Sequence, residues 1–269
     1  MTGGRALAVY AVLYMAFLYA PIALLPIFAF NDSTVIAFPL DGATTRWFGE
    51  LTTEPELRGS LVNSLVVAAI SSALATVLGI CAARASTRHA FAGRRAIMGG
   101  IMLPLVLPEI IVAVALLVAF VQLGLGIGLW AVVAGHVLIC TPFAIAILSG
   151  AFGALDPAME EAAQDLGAGR WEAFRTVTLP LVMPGVISSA LISFIISLDE
   201  FIIAFFLTGA EPTLPVYIWS QFRFPAKVPV VMALGTILVG ASVVLLIVAE
   251  IFRRRGLART GQQDTGGFL

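Results

Sequence analysis

The sequence predicts an all-α polytopic membrane protein, with six transmembrane helices and one cytosolic helical hairpin. Three observations predict it. The 269-residue chain is 60% hydrophobic and 12% charged, where soluble domains carry about 25% charged residues. Its mean hydropathy of +1.02 leaves too little polar surface to coat a globule, so the bilayer must be the solvent for most of it. Six apolar runs, about 8–30, 60–83, 97–121, 130–150, 182–207 and 229–251, reach the roughly 20 residues that a membrane helix needs. The net charge of −1 supplies no basic field for nucleic acid.

The first run follows Arg5 but is too long for the core of a signal peptide. No small-x-small cleavage pattern precedes Asn31, so it reads as a spanning helix. Orientation follows from arginine and lysine near the span ends. One set of connecting segments holds Arg5, Arg84, Arg88, Arg94, Arg95, Arg170, Arg175, Arg253, Arg254, Arg255 and Arg259; the other holds only Arg46, Arg58, Arg223 and Lys227. Both termini and the 152–180 segment are therefore expected on the cytosolic side. The outer loop 31–59 carries Asp32, Asp41, Glu50, Glu54 and Glu56 against two arginines, an acidic surface for something arriving from outside. Residues 1–259 read as one membrane domain, and 260–269 as a disordered cytosolic tail. Cys81 and Cys140 lie in apolar runs without CxxC spacing and read as small packing residues.

The segment 152–180 is the long polar passage between two apolar stretches. Asp156-Pro157 is a helix start, because the carboxylate caps free N–H groups and proline at the first helical position sacrifices no bond. Glu160 and Glu161 suit the positive end of the helix dipole. Met159, Ala162, Ala163 and Leu166 recur at helical spacing and form one apolar stripe, while Glu160, Glu161, Gln164 and Asp165 face elsewhere. Gly167 and Gly169 end the helix. A second short helix over about 170–176 carries Trp171 and Phe174, and Pro180 and Pro184 bracket the start of the next span. A hairpin this small cannot bury enough surface to hold itself. It either rests on its own spans or docks on a partner.

Glu161-Ala162-Ala163, three residues, Gly167, nine residues, then Val177-x-Leu179-Pro180 resembles the EAA loop of the permease subunits of bacterial ABC importers. Valine at 177 replaces the usual isoleucine. The likeness extends over "NSLVVAAISSALATVLG" (63–79), "PEIIVAVALL" (108–117), "SLDEFIIAFFLTG" (197–209) and "TLPVYIWSQFRF" (213–224), which are similar to the second permease of spermidine/putrescine importers. The resemblance implies that the hairpin couples the chain to an ATPase. The ATPase-facing residues would be Glu160, Glu161, Ala162, Ala163, Asp165, Gly167, Trp171, Leu179 and Pro180. It further implies two copies of a P-loop ATPase subunit, a second homologous permease, an external substrate-binding protein, and residence in a bacterial inner membrane.

Absent motifs agree. A phosphate cradle of the GxxxxGK[ST] type needs a lysine in a glycine-rich loop, and the sole lysine, Lys227, is flanked by Pro225-Ala226 and Val228. ATP hydrolysis must belong to another polypeptide. His89 and His136 stand far apart, without HExxH spacing, so neither a metal nor a cofactor is expected. His136 reads as packed within the fourth span by a local hydrogen bond, or as lining a path. Gly240-x-Ser242, with His136 as base, is a loose serine-hydrolase pattern that leaves the hairpin unexplained.

Away from the span ends, three acids stand out within apolar runs. Charge inside a bilayer costs at least about 2.5–3.5 kcal/mol and usually faces a cavity. Glu109 is expected near the middle of the third span. Asp199 and Glu200 are expected in the outer half of the fifth, about 100° apart on one helix, so that one lines the pathway while the other bonds to a neighbouring span. They either meet a cationic solute or hold bends in the helices. The expected function is that of a non-catalytic permease subunit forming half of a translocation path, with polyamines as solute. A different small solute is the alternative; an ion-coupled transporter or an intramembrane hydrolase is further off.

Overall fold

The computed structural model describes residues 2–240 and 243–244. The expected tail 260–269, Ser242 and most of the second half of the 229–251 run lie outside the described residues. The chain divides into two compact units, one of residues 1–54 and 218 onward, the other of residues 55–217.

In the first unit, α1 (Thr2–Ala29) contains Pro21 and Pro26, and only 6% of its most apolar stretch is buried. After it the chain folds on itself. Asn31 accepts from Asp41 N at its Oδ1 and from Trp47 Nε1 at its carbonyl oxygen, and Arg46 pairs with Asp32 at 2.8 Å. Trp47 and Leu51 on α2 (Arg46–Thr53) are buried. Lys227 bonds to Glu54. It precedes most of a short apolar helix, Pro225–Gly240, whose Gly235 faces Leu25 of α1.

The second unit is built on three long helices. These are α3 (Pro55–Arg88), α6 (Leu129–Ala154) and the segment ending in α9 (Leu179–Asp199). Between α3 and α6 come α4 (Arg94–Met102) and α5 (Glu109–Gln122). The buried face of α3 reads Ser60, Ser64, Val67, Ala68, Ser71, Ala75, Gly79, Ala83 and Ser86. Small residues there let backbones approach, which is how helices associate where lipid removes the hydrophobic drive. A Cβ on Gly79 would stand 2.8 Å from Ala144 Cβ of α6, and one on Gly185 of α9 only 2.6 Å from Ala151 Cβ. The buried hydroxyls of Ser60, Ser72 and Ser86 bond back to carbonyls three residues earlier, so they add no unpaired polar group to the seam.

Two expected spans are broken. The run 97–121 bends by 102° between Arg94–Leu105 and Glu109–Gln122, where Pro104 and Pro108 interrupt the ladder. The run 182–207 ends its helix at Asp199 and resumes as α10 (Ile202–Leu207). Among the described residues, four helices are long and apolar enough to cross a membrane, and the bent pair raises that to five. The expected sixth reaches past the described residues.

Replacing Gly79 by valine should overpack the α3–α6 contact and cost about 1–3 kcal/mol. Thermal unfolding of the purified protein in detergent measures it; an unshifted transition would mean that the helices do not meet at this glycine.

Candidate functional site

At one end of the second unit, α9 stops because Glu200 leaves helical geometry, with φ −70° and ψ 123°. Two N–H groups at the start of α10 then need acceptors, and the Glu200 carboxylate supplies both. Oε1 accepts from Ile203 N at 2.8 Å and Oε2 from Ala204 N at 3.0 Å. Oε2 also stands 3.1 Å from Nε2 of His136 on α6. The two groups lie within attractive reach of each other, although their geometry is not that of a linear hydrogen bond. On its other side His136 Nδ1 lies 2.7 Å from Ser197 Oγ. His136 is 1% exposed and Glu200 8%. A buried string therefore runs Ser197–His136–Glu200–α10. Below it Cys140 contacts the Ser193 carbonyl oxygen through Sγ.

Packing fixes α10 in this position. Ile203, Ala204 and Leu207 share a core with Val67 of α3, Val112 and Ala113 of α5, and Ala131, Val132 and Ile139 of α6. The N–H of Gly128 donates to the Leu207 carbonyl at 2.8 Å.

The two breaks meet at one cavity of about 530 Å³. Glu109, Asp199 and Glu200 all border it, with Ile139, Phe143, Ile195, Ile196, Phe201 and Ile202. Glu109 is in the first turn of α5, just after the Pro108 elbow, instead of mid-span. Asp199 is the last residue of α9 and Glu200 lies outside the helix, so the expected 100° separation on one helix does not apply. Asp199 and Glu109 are exposed and make no hydrogen bond or ion pair among the described residues. His136, weighed as a base for Ser242, is instead held between Ser197 and Glu200. Sequence reasoning misses Ser197 because its partner across the bundle, His136, is 61 positions away; the series Ser189, Ser193, Ser197 at four-residue steps is the available signal.

The second site lies at the other end of α9, whose 21 residues span about 30 Å. Helix α7 (Pro157–Asp165) begins at Asp156, whose side chain accepts from Ala158 N. It closes with Ala168 N donating to the Ala163 carbonyl and Gly167 N to that of Gln164, the double bond of a Schellman end. Gly167 holds φ +92° there. Then come α8 (Arg170–Ala173) and a five-residue π-turn, Phe174–Thr178, before α9. The helix expected over 170–176 is thus split in two.

The apolar stripe of α7 faces away from the bundle, with Met159 45% and Leu166 91% exposed. Trp171 is 72% exposed and packs against Phe174. Glu161, Ala162, Asp165 and Pro180 are exposed and Ala163 half-buried. Glu160 departs from the group, because its carboxylate turns inward to Arg84 of α3 at 2.5 Å. Leu179 packs beside the core of Ala83, Leu148, Phe152, Phe174 and Val182. Arg88 ties the start of the hairpin down by donating to the Leu155 carbonyl.

The family model described as "Binding-protein-dependent transport system inner membrane component" matches residues 75–256. The chain is 33% identical over 255 residues to the spermidine/putrescine transport system permease protein PotC of Escherichia coli (strain K12), covering 94% of each. It is 37% identical over 234 residues to the putrescine transport system permease protein PotI of the same organism, covering 84% of this chain and 82% of that one. Among solved structures, a bacterial alginate ABC transporter in complex with an alginate pentasaccharide-bound periplasmic protein aligns with a TM-score of 0.71 and 20% identity over 93% of each chain, a likeness of fold.

Replacing Glu200 by alanine should leave two buried N–H groups without acceptors, at about 1–3 kcal/mol each. Asp199→Ala, which removes no such contact, should change stability by less than about 0.5 kcal/mol. Denaturant titration in detergent separates the two, and equal effects would refute the capping role.

Proposed function

The chain belongs to the family of binding-protein-dependent transport system inner membrane components, and on that premise we propose that it is the permease subunit of an ABC importer for polyamines. The observation that carries the solute class is the single cavity bordered by Glu109, Asp199 and Glu200. A polyamine is a chain of ammonium groups separated by methylenes. Carboxylates attract the ammonium groups strongly where water is scarce, isoleucines contact the methylenes, and Phe143 and Phe201 offer ring faces to cations. Asp199 and Glu109 are the carboxylates available to solute. Glu200 is committed to α10 and His136, and its role is to hold the break in place.

In the same reading the cavity is half of a path, and a second permease, a homologous different chain, supplies the other half. The acidic 31–59 loop receives an external binding protein; the alginate transporter of like fold forms a complex with a periplasmic protein. Both termini and the hairpin are cytosolic. The chain hydrolyses nothing itself. Two copies of a P-loop ATPase dock on the paired hairpins, against the exposed face of Met159, Glu161, Ala162, Asp165, Leu166 and Trp171. What supports the docking is an apolar stripe turned away from the chain's own spans, a poor surface to leave uncovered. Closure of the ATPase pair moves the hairpins, and the spans follow as rigid bodies to open the path outward.

Asp199→Asn should lower polyamine uptake into proteoliposomes at least about tenfold, the scale of one lost charge–charge contact, while the complex still assembles. Unchanged uptake would return Asp199 to a structural role. Gly167→Trp should release the ATPase subunit on co-purification, because a side chain at φ +92° distorts the end of α7. Retention of both ATPase and uptake would refute the docking assignment.

A further inference from the structure

Glu160 immediately precedes the Glu161-Ala162-Ala163 triplet, yet its carboxylate turns inward, off the exposed stripe. Both of its oxygens are engaged. Oε1 accepts from Arg84 Nη2 at 2.5 Å, and Oε2 accepts from Thr178 Oγ1 at 3.1 Å. The Arg84 guanidinium carbon lies 4.2 Å over the Phe174 ring. Phe174 and Thr178 are the first and last residues of the π-turn. One carboxylate therefore joins three parts of the fold: α7, the end of α3, and the turn from which α9 rises. The Glu160 and Arg84 side chains are only 12% and 23% exposed. Salt and water screen such a pair far less than a surface pair, and charge-assisted hydrogen bonds are stronger than neutral ones.

From this geometry we infer that Glu160, Arg84 and Thr178 form a clasp that transmits displacement of the hairpin to α3 and α9. The inference rests on the reading that the hairpin receives force from an ATPase subunit. Helix α7 buries no residue of its own. Apart from the clasp, α7 is tied to the spans through its two chain ends, by the Arg88–Leu155 bond on one side and by Phe174, packed beside Ala83 and Leu148, on the other. A push on α7 alone would swing it about those ends. The π-turn is the weak place, since its widened hydrogen-bond ladder interrupts the regular helix. The clasp grips that turn at both ends and braces it against α3, so hairpin and spans move together. Glu160 is a positioning residue; it touches neither solute nor nucleotide.

The test reconstitutes the whole complex, with companion permease, ATPase subunits and binding protein, in proteoliposomes and records uptake and ATP hydrolysis together. Glu160→Gln keeps the shape of the side chain and removes its charge. Thr178→Val removes one hydroxyl, and Arg84→Lys keeps the charge but not the planar contact with Phe174. With the ATPase subunit still bound, uptake per ATP hydrolysed should fall about tenfold in Glu160→Gln, the factor that one lost charge-assisted bond represents, and by less in the other two. A ratio unchanged across the variants that assemble overturns the clasp. So does release of the ATPase by Glu160→Gln, which would assign Glu160 to the docking face. Should Glu160→Gln fail to assemble, Thr178→Val and Arg84→Lys carry the same ratio test. If the unaltered chain holds no ATPase subunit, the functional reading fails instead, so the two failures are distinct.

Discussion

A helix that stops inside a bilayer leaves N–H groups with no water to pair them, and each must be satisfied by protein. The Glu200 carboxylate meets that need at the break between α9 and α10, accepting from Ile203 and Ala204. It is in turn held by His136, and His136 by Ser197. Without this string the chain would have to continue as helix past Asp199, and α10 would not reach the core it shares with α3, α5 and α6. At the second break Pro108 lies just before α5, and its carbonyl accepts from the Ile111 N–H in the first turn. Both breaks border one cavity. Irregular backbone at membrane depth is tolerated where it lines a cavity, and here it frees the carboxylates of Asp199 and Glu109 to face that space.

The opposite end of α9 inverts the usual arrangement of a surface helix. On α7 the apolar side chains point outward and the contact turned toward the spans is a half-buried ion pair, Glu160 with Arg84. Removing one member of such a pair is costly because the other charge stays behind; the pair fixes the direction of α7 more than it adds stability. Helix α3 is long enough for this, since its 34 residues reach about 51 Å and carry Arg84 and Arg88 to the hairpin.

Much of the hairpin was legible in the sequence. Asp156-Pro157 starts α7, Gly167 ends it in a left-handed turn, and both follow from local rules of capping and backbone freedom. The periodicity of Met159, Ala162, Ala163 and Leu166 marked a stripe, but not which way it faces. That depended on Glu160 finding Arg84, 76 positions away. The acids in the apolar runs were equally visible, and their expense in lipid marked them as purposeful. Their geometry was not visible. The runs 97–121 and 182–207 read as continuous because hydropathy is blind to hydrogen-bond partners; the acceptor at the second break, Glu200, is itself set against His136 on another helix.

By itself the sequence determined that the chain lives in a bilayer, where its long apolar segments lie, and where the hairpin helix begins and ends, because hydropathy and capping act over a few neighbouring residues. Tertiary structure alone decided that Glu109, Asp199 and Glu200 border one space, that Glu200 is spent on a helix end while Asp199 stays available, and that Glu160 turns inward. Each of these is a pairing between groups distant in sequence, fixed only when small residues such as Gly79 and Gly185 let three long helices close to contact distance.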